Sequence, residues 1–382
     1  MERTWRRRCE ALLGVPATER NRIDVLRNGD EIFPAMLDAI RAATRSIDFL
    51  TFVWWKGPIT DDFVDALAER AAAGVRVRVL LDTFGSRHIS TRQLDRLRDA
   101  GADARFFRPV DGQLSRVHRR THRKVLVCDE IVGFTGGVGV AEEWTGDAEG
   151  PDAWRDTHFR VQGPAVDGIR GAFIDNWVET GPLVIDDLFD RFPDHEPAGA
   201  STIQVVAGAA EAGGNDIASL LEILIGTAER HLRFTTAYFN PDDELAALLI
   251  AAADRGVAID VLVPGQHADK RFVQIVGEAR YAELLDAGIT IRCYDRTMLH
   301  AKVLTVDGQV ASVGSANLNQ RSFQHDEEVN LVIFDPEVVA ELDAHFEDDC
   351  RHASVVDPAD WARRSLVQRA AERAVSVVSD LI

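Results

Sequence analysis

The chain has 382 residues, of which 46% are hydrophobic and 27% charged, and its formal net charge is −19. That mix excludes a globally disordered chain. The acidic balance excludes a protein that coats bulk nucleic acid, because such binding rests on many Lys/Arg–phosphate contacts. A local basic pocket for one phosphate remains open.

The first segment, Met1–Pro16, is basic through Arg3, Arg6, Arg7 and Arg8, and its apolar part, Ala11–Val15, is too short for a signal-peptide core. No stretch reaches the ~18 apolar residues of a spanning helix. Cys9, Cys128, Cys293 and Cys350 form no C-x-x-C pair, so a reducing compartment is expected. The expected location is the cytoplasm, peripheral on the inner face of the cell membrane.

The next elements alternate between helix and strand. Glu31–Thr44 is helix-like and Ser46–Val53 strand-like. An amphipathic helix over Asp61–Ala73 ends at Gly74. An alternating strand follows at Val75–Asp82, then a helix at Ser90–Ala100 that stops at Gly101, then Ala104–Phe107. The same order returns later in the chain. Ile217–Glu229 is helical, Leu232–Phe239 extended, Pro241–Asp254 helical and Val257–Val263 extended. Glu278–Ala287 is a helix ended by Gly288, before Ile289–Tyr294. Glycine at helix ends accepts the left-handed backbone of a C-cap. Helices alternating with apolar strands indicate α/β architecture, and the duplication predicts two similar α/β domains related by pseudo-twofold symmetry. The expected divisions are 1–195, 196–352 and a tail at 353–382, with Pro193–Thr202 as the linker.

The chemistry repeats as well. Each copy reaches His-x-Lys-x4-Asp, first as His122, Lys124 and Asp129, then as His300, Lys302 and Asp307. Gly136-Gly137 lies seven positions after the first Asp, and Gly314-Ser315-Ala316-Asn317 seven after the second. Read as a strand, the motif puts each His and its Lys on one face. The Gly pair then offers backbone N–H groups to a phosphate oxygen, with Ser315 and Asn317 adding polar contacts. Phosphodiester transfer through a covalent intermediate needs a nucleophile, an acid for the leaving oxygen and positive charge around the phosphoryl oxygens. Two histidines can divide the first two tasks, and two lysines can supply the third. One motif holds half of that set. No zinc-type His/Cys spacing is present, so neither metal nor cofactor is expected.

With these residues the chain resembles the phospholipase D superfamily, whose members carry two such motifs. The resemblance implies two phospholipase D-type α/β sandwich domains sharing one active site, and a phosphohistidine intermediate. It implies that one of His122 and His300 attacks phosphorus, with His122 favoured, and that the other protonates the leaving alkoxide. It also implies that Lys124, Lys302 and Asn317 hold the phosphate, while Asp129 and Asp307 brace their loops. Family members orient each catalytic His with a carboxylate. By that analogy Glu328 is expected behind His300 and Asp156 behind His122. The sequence departs from the family where Gly139 replaces the Asn expected after Gly136-Gly137.

Over about Asn21–Asp335 the text is similar to bacterial cardiolipin synthases and their relatives. That similarity implies phosphatidyl transfer or hydrolysis on a glycerophospholipid such as phosphatidylglycerol, with a nuclease as the alternative and no nucleic acid expected as a partner. Members of this family usually begin with membrane-spanning helices, and this chain resembles the shorter, peripheral type. Transient contact with a membrane surface is expected through two segments: the tail, where Arg363, Arg364, Arg369 and Arg373 mix with apolar residues at helical spacing, and the basic stretch Arg105–Arg120.

Overall fold

The computed structural model describes residues 2–109, 119–181, 193–208 and 216–364. In chain order the strands are β1 (Thr18–Arg27), β2 (Ser46–Thr51), β3 (Arg76–Asp82), β4 (Asp103–Phe107), β5 (Arg120–Thr121), β6 (Val125–Cys128), β7 (Val132–Gly136), β8 (Thr157–Gln162) and β9 (Ser201–Gly208). The second half supplies β10 (His231–Thr235), β11 (Phe239–Asn240), β12 (Ala258–Pro264), β13 (Thr290–Tyr294), β14 (Val303–Val306), β15 (Val310–Gly314), β16 (Leu318–Asn319), β17 (Asp326–Phe334) and β18 (Ala353–Val355).

All but β11 and β16 belong to one 16-stranded sheet among the described residues. Outward from β1 the order is β8-β7-β6-β2-β3-β4, and outward from β9 it is β17-β15-β14-β10-β12-β13, with β18 at that far edge. The two series have the same pattern. The motif strands β6 and β14 run antiparallel to β2 and β10, and each half ends in a parallel set, β2-β3-β4 and β10-β12-β13. β1 and β9 meet antiparallel, so the pseudo-twofold axis passes between them and the sheet crosses the linker unbroken.

Helices cover both faces. One face of the first half packs Asn28–Ala42, Pro58–Ala72 and Thr91–Asp99 through Ile32, Phe33, Phe63, Leu67 and Leu97. The second half repeats this with Asp216–Thr227 and Asp243–Asp254. The opposite face carries Ala165–Val178 and Pro336–Cys350 over a core drawn from both halves, with Val125, Phe159, Ile169 and Phe173 beside Ala311, Leu331 and Val339. A core shared in this way ties the halves into one folding unit.

Buried charges on this shared face are matched by opposite charges. Arg78 forks onto Asp48 at 2.7 and 2.8 Å. Arg155 meets Asp349 at 2.9–3.1 Å, and Arg27 reaches the same carboxylate at 2.8 Å. Removing one member of a buried pair strands the other charge. Asp349→Ala is therefore expected to cost about 3–5 kcal/mol in a urea melt. Asp243→Ala, which breaks the exposed pair with Arg280, is expected to cost about 1 kcal/mol or less.

Candidate active site

The motif residues lie one step ahead of the strands expected to hold them. β6 begins at Val125 and β14 at Val303, so His122–Lys124 and His300–Lys302 are extended lead-ins. Each lead-in crosses to the other half. β5 pairs in parallel with Asp326–Glu327 at the start of β17, and His122 N donates to Glu327 O at 2.9 Å. Leu299 bridges to Arg155, and His300 N donates to Arg155 O at 2.7 Å. The residues that follow those anchors are Glu328 and Asp156.

The crossing reverses the expected carboxylate pairing. His122 Nδ1 lies 3.0 Å from both Glu328 oxygens, and His300 Nδ1 lies 2.7 Å from Asp156 Oδ2. Glu328 serves His122 and Asp156 serves His300. Position along the sequence misled because each strand delivers its carboxylate across the pseudo-twofold axis, to the histidine of the opposite half.

The two pairs are held differently. Glu328 takes hydroxyls from Ser315 and, at 2.8 Å, from Ser322. Asp156 takes the indole N–H of Trp144 and the backbone N–H of Thr157, both at 2.8 Å. Trp144 and Trp154 flank the His300 ring at 5.2 and 5.1 Å between centroids, and Phe52 packs against His122 at 5.0 Å. Ser322, Trp144 and Phe52 were missed in the sequence, where each reads as an ordinary core or helix residue.

The glycine region also differs from expectation. Gly137 N donates to Thr157 O at 3.3 Å and Ser315 N to Val329 O at 3.1 Å, so these N–H groups serve the backbone and are spent before any phosphate arrives. Gly136 is the last residue of β7, opposite His158. Glycine is needed at 137 because a Cβ there would fall 2.2 Å from Asp156 Oδ1. Ser315 holds a carboxylate. Asn317 is buried beside Lys302 on one small cavity.

Asp129 and Asp307 stand apart from this chemistry. Asp129 accepts the backbone N–H groups of Thr44, Arg45 and Ser46, and Asp307 those of Glu229, Arg230 and His231. Each fastens the turn after its motif strand to the start of a neighbouring strand. Of the basic stretch, Arg105 pairs with Asp103 and Arg108 with Glu179 and Glu327, which leaves them committed to the protein itself. Arg116 lies outside the described residues, as does the tail from 365 onward.

The four motif side chains are buried together, and each lysine acts on both histidines. Burial first, then the two lysine charges, outweigh the carboxylates and lower His122 to about 4 and His300 to about 3. Burial, more than any neighbour, also lowers Lys124 to about 7 and Lys302 to about 8. Burial alone would raise the two carboxylates, but the histidines and lysines hold Asp156 and Glu328 at about 2. Each neutral imidazole thus gives its Nδ1–H to an ionised carboxylate and keeps an unprotonated Nε2, which at His300 lies 3.2 Å from Lys302 Nζ. Because an anionic phosphoryl group binds best to protonated lysine, KM for a phosphodiester is expected to rise as pH climbs from 7 to 9. A steady-state pH series checks this.

The family described as "Cardiolipin synthase, PLD-like domain" matches residues 36–144 and 221–350, one match per half. This chain belongs to that family. Cardiolipin synthase 1 of Bacillus anthracis is 31% identical over 378 residues, covering 97% of this chain and 74% of the relative. The cardiolipin synthase of Geobacillus thermodenitrificans is 32% identical over 370 residues, 96% and 74% of the two chains. In fold, the chain is similar to phosphatidylserine synthase of Haemophilus influenzae, with a TM-score of 0.77 at 16% identity over 98% and 99% of the two chains. Family membership makes the protein an enzyme of the phosphatidyl-transfer class. No helix among the described residues is long and apolar enough to cross a membrane.

Within this family site, Trp144 is a positioning residue, since its N–H steadies the carboxylate behind His300. Trp144→Phe keeps a ring and deletes the donor. A hydrogen bond to a charged group is worth about 1.5–3 kcal/mol, so kcat is expected to fall about tenfold or more with KM little changed. Trp144 also helps hold Asp156 low, so the acid limb of the rate profile should move upward. A pH profile with an unmoved limb would assign Trp144 to packing alone.

Proposed function

We propose that this protein transfers a phosphatidyl group between alcohols at a membrane surface, with phosphatidylglycerol as donor and a second phosphatidylglycerol as acceptor, giving cardiolipin and glycerol. The observation that supports this most is the burial of two carboxylate-backed histidines with two lysines in one pocket built across both halves. The names of its relatives point to the same product.

The chemistry balances in two steps. Nε2 of one histidine attacks phosphorus, the bond from phosphorus to the glycerol oxygen breaks, and the other histidine, protonated, gives that oxygen its proton. The second histidine, now neutral, removes the proton from the incoming hydroxyl, whose oxygen attacks phosphorus and releases the first histidine. His122 is taken as the nucleophile. Lys124, Lys302 and the Asn317 amide neutralise the phosphoryl oxygens. The indole and phenyl rings around the histidines keep water from the intermediate while the acceptor enters. The enzyme works from the cytoplasmic side, bound peripherally.

The test is incubation of purified protein with phosphatidylglycerol vesicles, followed by mass spectrometry of the lipids. Cardiolipin with equimolar glycerol is expected. Phosphatidic acid alone would replace transfer by hydrolysis, and no lipid change would overturn the reading.

A further inference from the structure

Large apolar side chains stand exposed at five described positions: Leu12, Phe84, Ile131, Phe272 and Val355. Two of them occupy corresponding places. Phe84 follows β3 and is 53% exposed, and Phe272 follows β12 and is 46% exposed. β3 and β12 are the middle strands of the two parallel sets, and each aromatic lies in the connection that leaves the carboxyl end of its strand.

Both connections are fastened to the active site. Asp82 accepts the N–H of Phe84 at 2.9 Å and of Gly85 at 3.0 Å, and its other oxygen accepts Thr121 N at 3.2 Å, beside His122. The Arg120 guanidinium lies 4.3 Å from the Phe84 ring centroid. In the other half, Lys270 Nζ lies 5.1 Å over the Tyr238 ring, and that ring stands 6.5 Å from His300. Tyr238 OH is bonded to Asp269 at 2.9 Å. Phe272 is the second residue of the helix Arg271–Glu278, whose Gly277 is pressed against Phe239 O, where a Cβ would come within 1.9 Å. Each phenyl ring thus rides on a braced element one step outside a catalytic histidine.

The exposed charge beside the two rings is mainly cationic. Arg87 is exposed beside Phe84, with its guanidinium 6.0 Å from the ring, and Lys270 and Arg271 are exposed beside Phe272. The acidic neighbours on that side are Asp269, occupied by Tyr238 OH, and Glu278, which lies 3.6 Å from Arg271. This cationic setting lies on a chain of net charge −19. Exposed aromatics ringed by cations match the layered chemistry of an anionic bilayer, with phosphates outside and acyl chains below.

We propose that Phe84 and Phe272 are two insertion points that seat the mouth of the active site on an anionic lipid surface, one contributed by each half. The proposal rests on the phosphatidyl-transfer reading for its choice of occupant. Seating at two points straddling the site would let a headgroup reach the histidines while its acyl chains remain in the bilayer. It also gives the protein a membrane contact separate from the tail and from Arg105 and Arg108.

The experiment is co-sedimentation of the full-length protein with vesicles of phosphatidylglycerol and phosphatidylcholine, and with phosphatidylcholine alone. The variants are Phe84→Ala, Phe272→Ala, the double variant, and Val355→Ala as an exposed apolar control. Turnover of monomeric short-chain phosphatidylglycerol is measured in parallel. Each ring is expected to contribute about tenfold in partitioning, so the double variant should lose about 100-fold on anionic vesicles while Val355→Ala does not. Turnover of the monomeric lipid should hold. Unchanged vesicle binding by the double variant would overturn the proposal and move the contact to the tail or to a second copy of the chain. Equal loss of monomeric turnover would overturn it too, by placing the rings inside the site. If the wild type binds vesicles through these rings yet turns over no lipid, the transfer reading fails while the insertion points stand.

Discussion

His122→Ala and His300→Ala are each expected to lower cardiolipin formation by about 10⁴-fold or more, and the double variant to be no worse than either alone. The two histidines serve one reaction in sequence, so removing either stops the same cycle. Their environments make the division of work possible. Burial lowers both imidazoles toward the neutral form, with Lys302 Nζ 3.2 Å from the His300 Nε2, and the arrival of an anionic phosphodiester favours a proton on the histidine that does not attack. Incubation with lipid labelled at phosphorus separates the roles. If His122 attacks, His300→Ala should still take up acid-labile label, slowly, and His122→Ala should take up none. The reverse pattern would exchange the assignments. Residual transfer above a few per cent in both variants would overturn the phosphohistidine route.

Much of this was legible in the sequence. The alternating helix and strand text from Glu31 to Phe107 and again from Ile217 to Tyr294 gave the α/β class and the duplication, because helical and strand periods alternate in the same order and several helices stop at a glycine, as at Gly74, Gly101 and Gly288. The paired His-x-Lys-x4-Asp motifs gave the four central side chains. What escaped was the middle of the sheet. β1 has the sequence Thr-Glu-Arg-Asn-Arg-Ile-Asp-Val-Leu-Arg, too polar to announce a strand. Yet it lies between β8 and β9 at the centre of the sheet, with Asn21 buried and its amide bonded to Thr18 and Ser201 carbonyls. Polar strands of this kind are set by tertiary pairing, which propensity does not report. The same gap hid the crossed carboxylates, since Asp156, just ahead of β8, and Glu328, within β17, reach the far histidines from strands placed by β1 and β9.

The crossing makes the second large prediction specific. Glu328→Gln is expected to lower kcat by about 10³–10⁴-fold, although the substituted group is no nucleophile and donates no proton to substrate. As a carboxylate, Glu328 accepts Nδ1–H from His122 and fixes the bare nitrogen at Nε2. An amide can present its NH2 to Nδ1, which moves the imidazole proton to Nε2, where it blocks attack. Ser315 and Ser322 donate to different oxygens of Glu328, so in the Gln variant one hydroxyl still holds the carbonyl oxygen while the other turns to accept from the new NH2, and the geometry should survive while the tautomer changes. Nitrogen NMR of the histidine rings tests this directly. Glu328→Gln should alter the His122 resonances and leave His300 alone, and Asp156→Asn should do the converse. A shift at His300 in Glu328→Gln would instead restore pairing within each half. That distinction decides why the duplication has one site: with crossed pairs, neither half contains a histidine together with its own carboxylate. The halves expressed apart should therefore be inactive, each holding a base without its partner and a partner without its base.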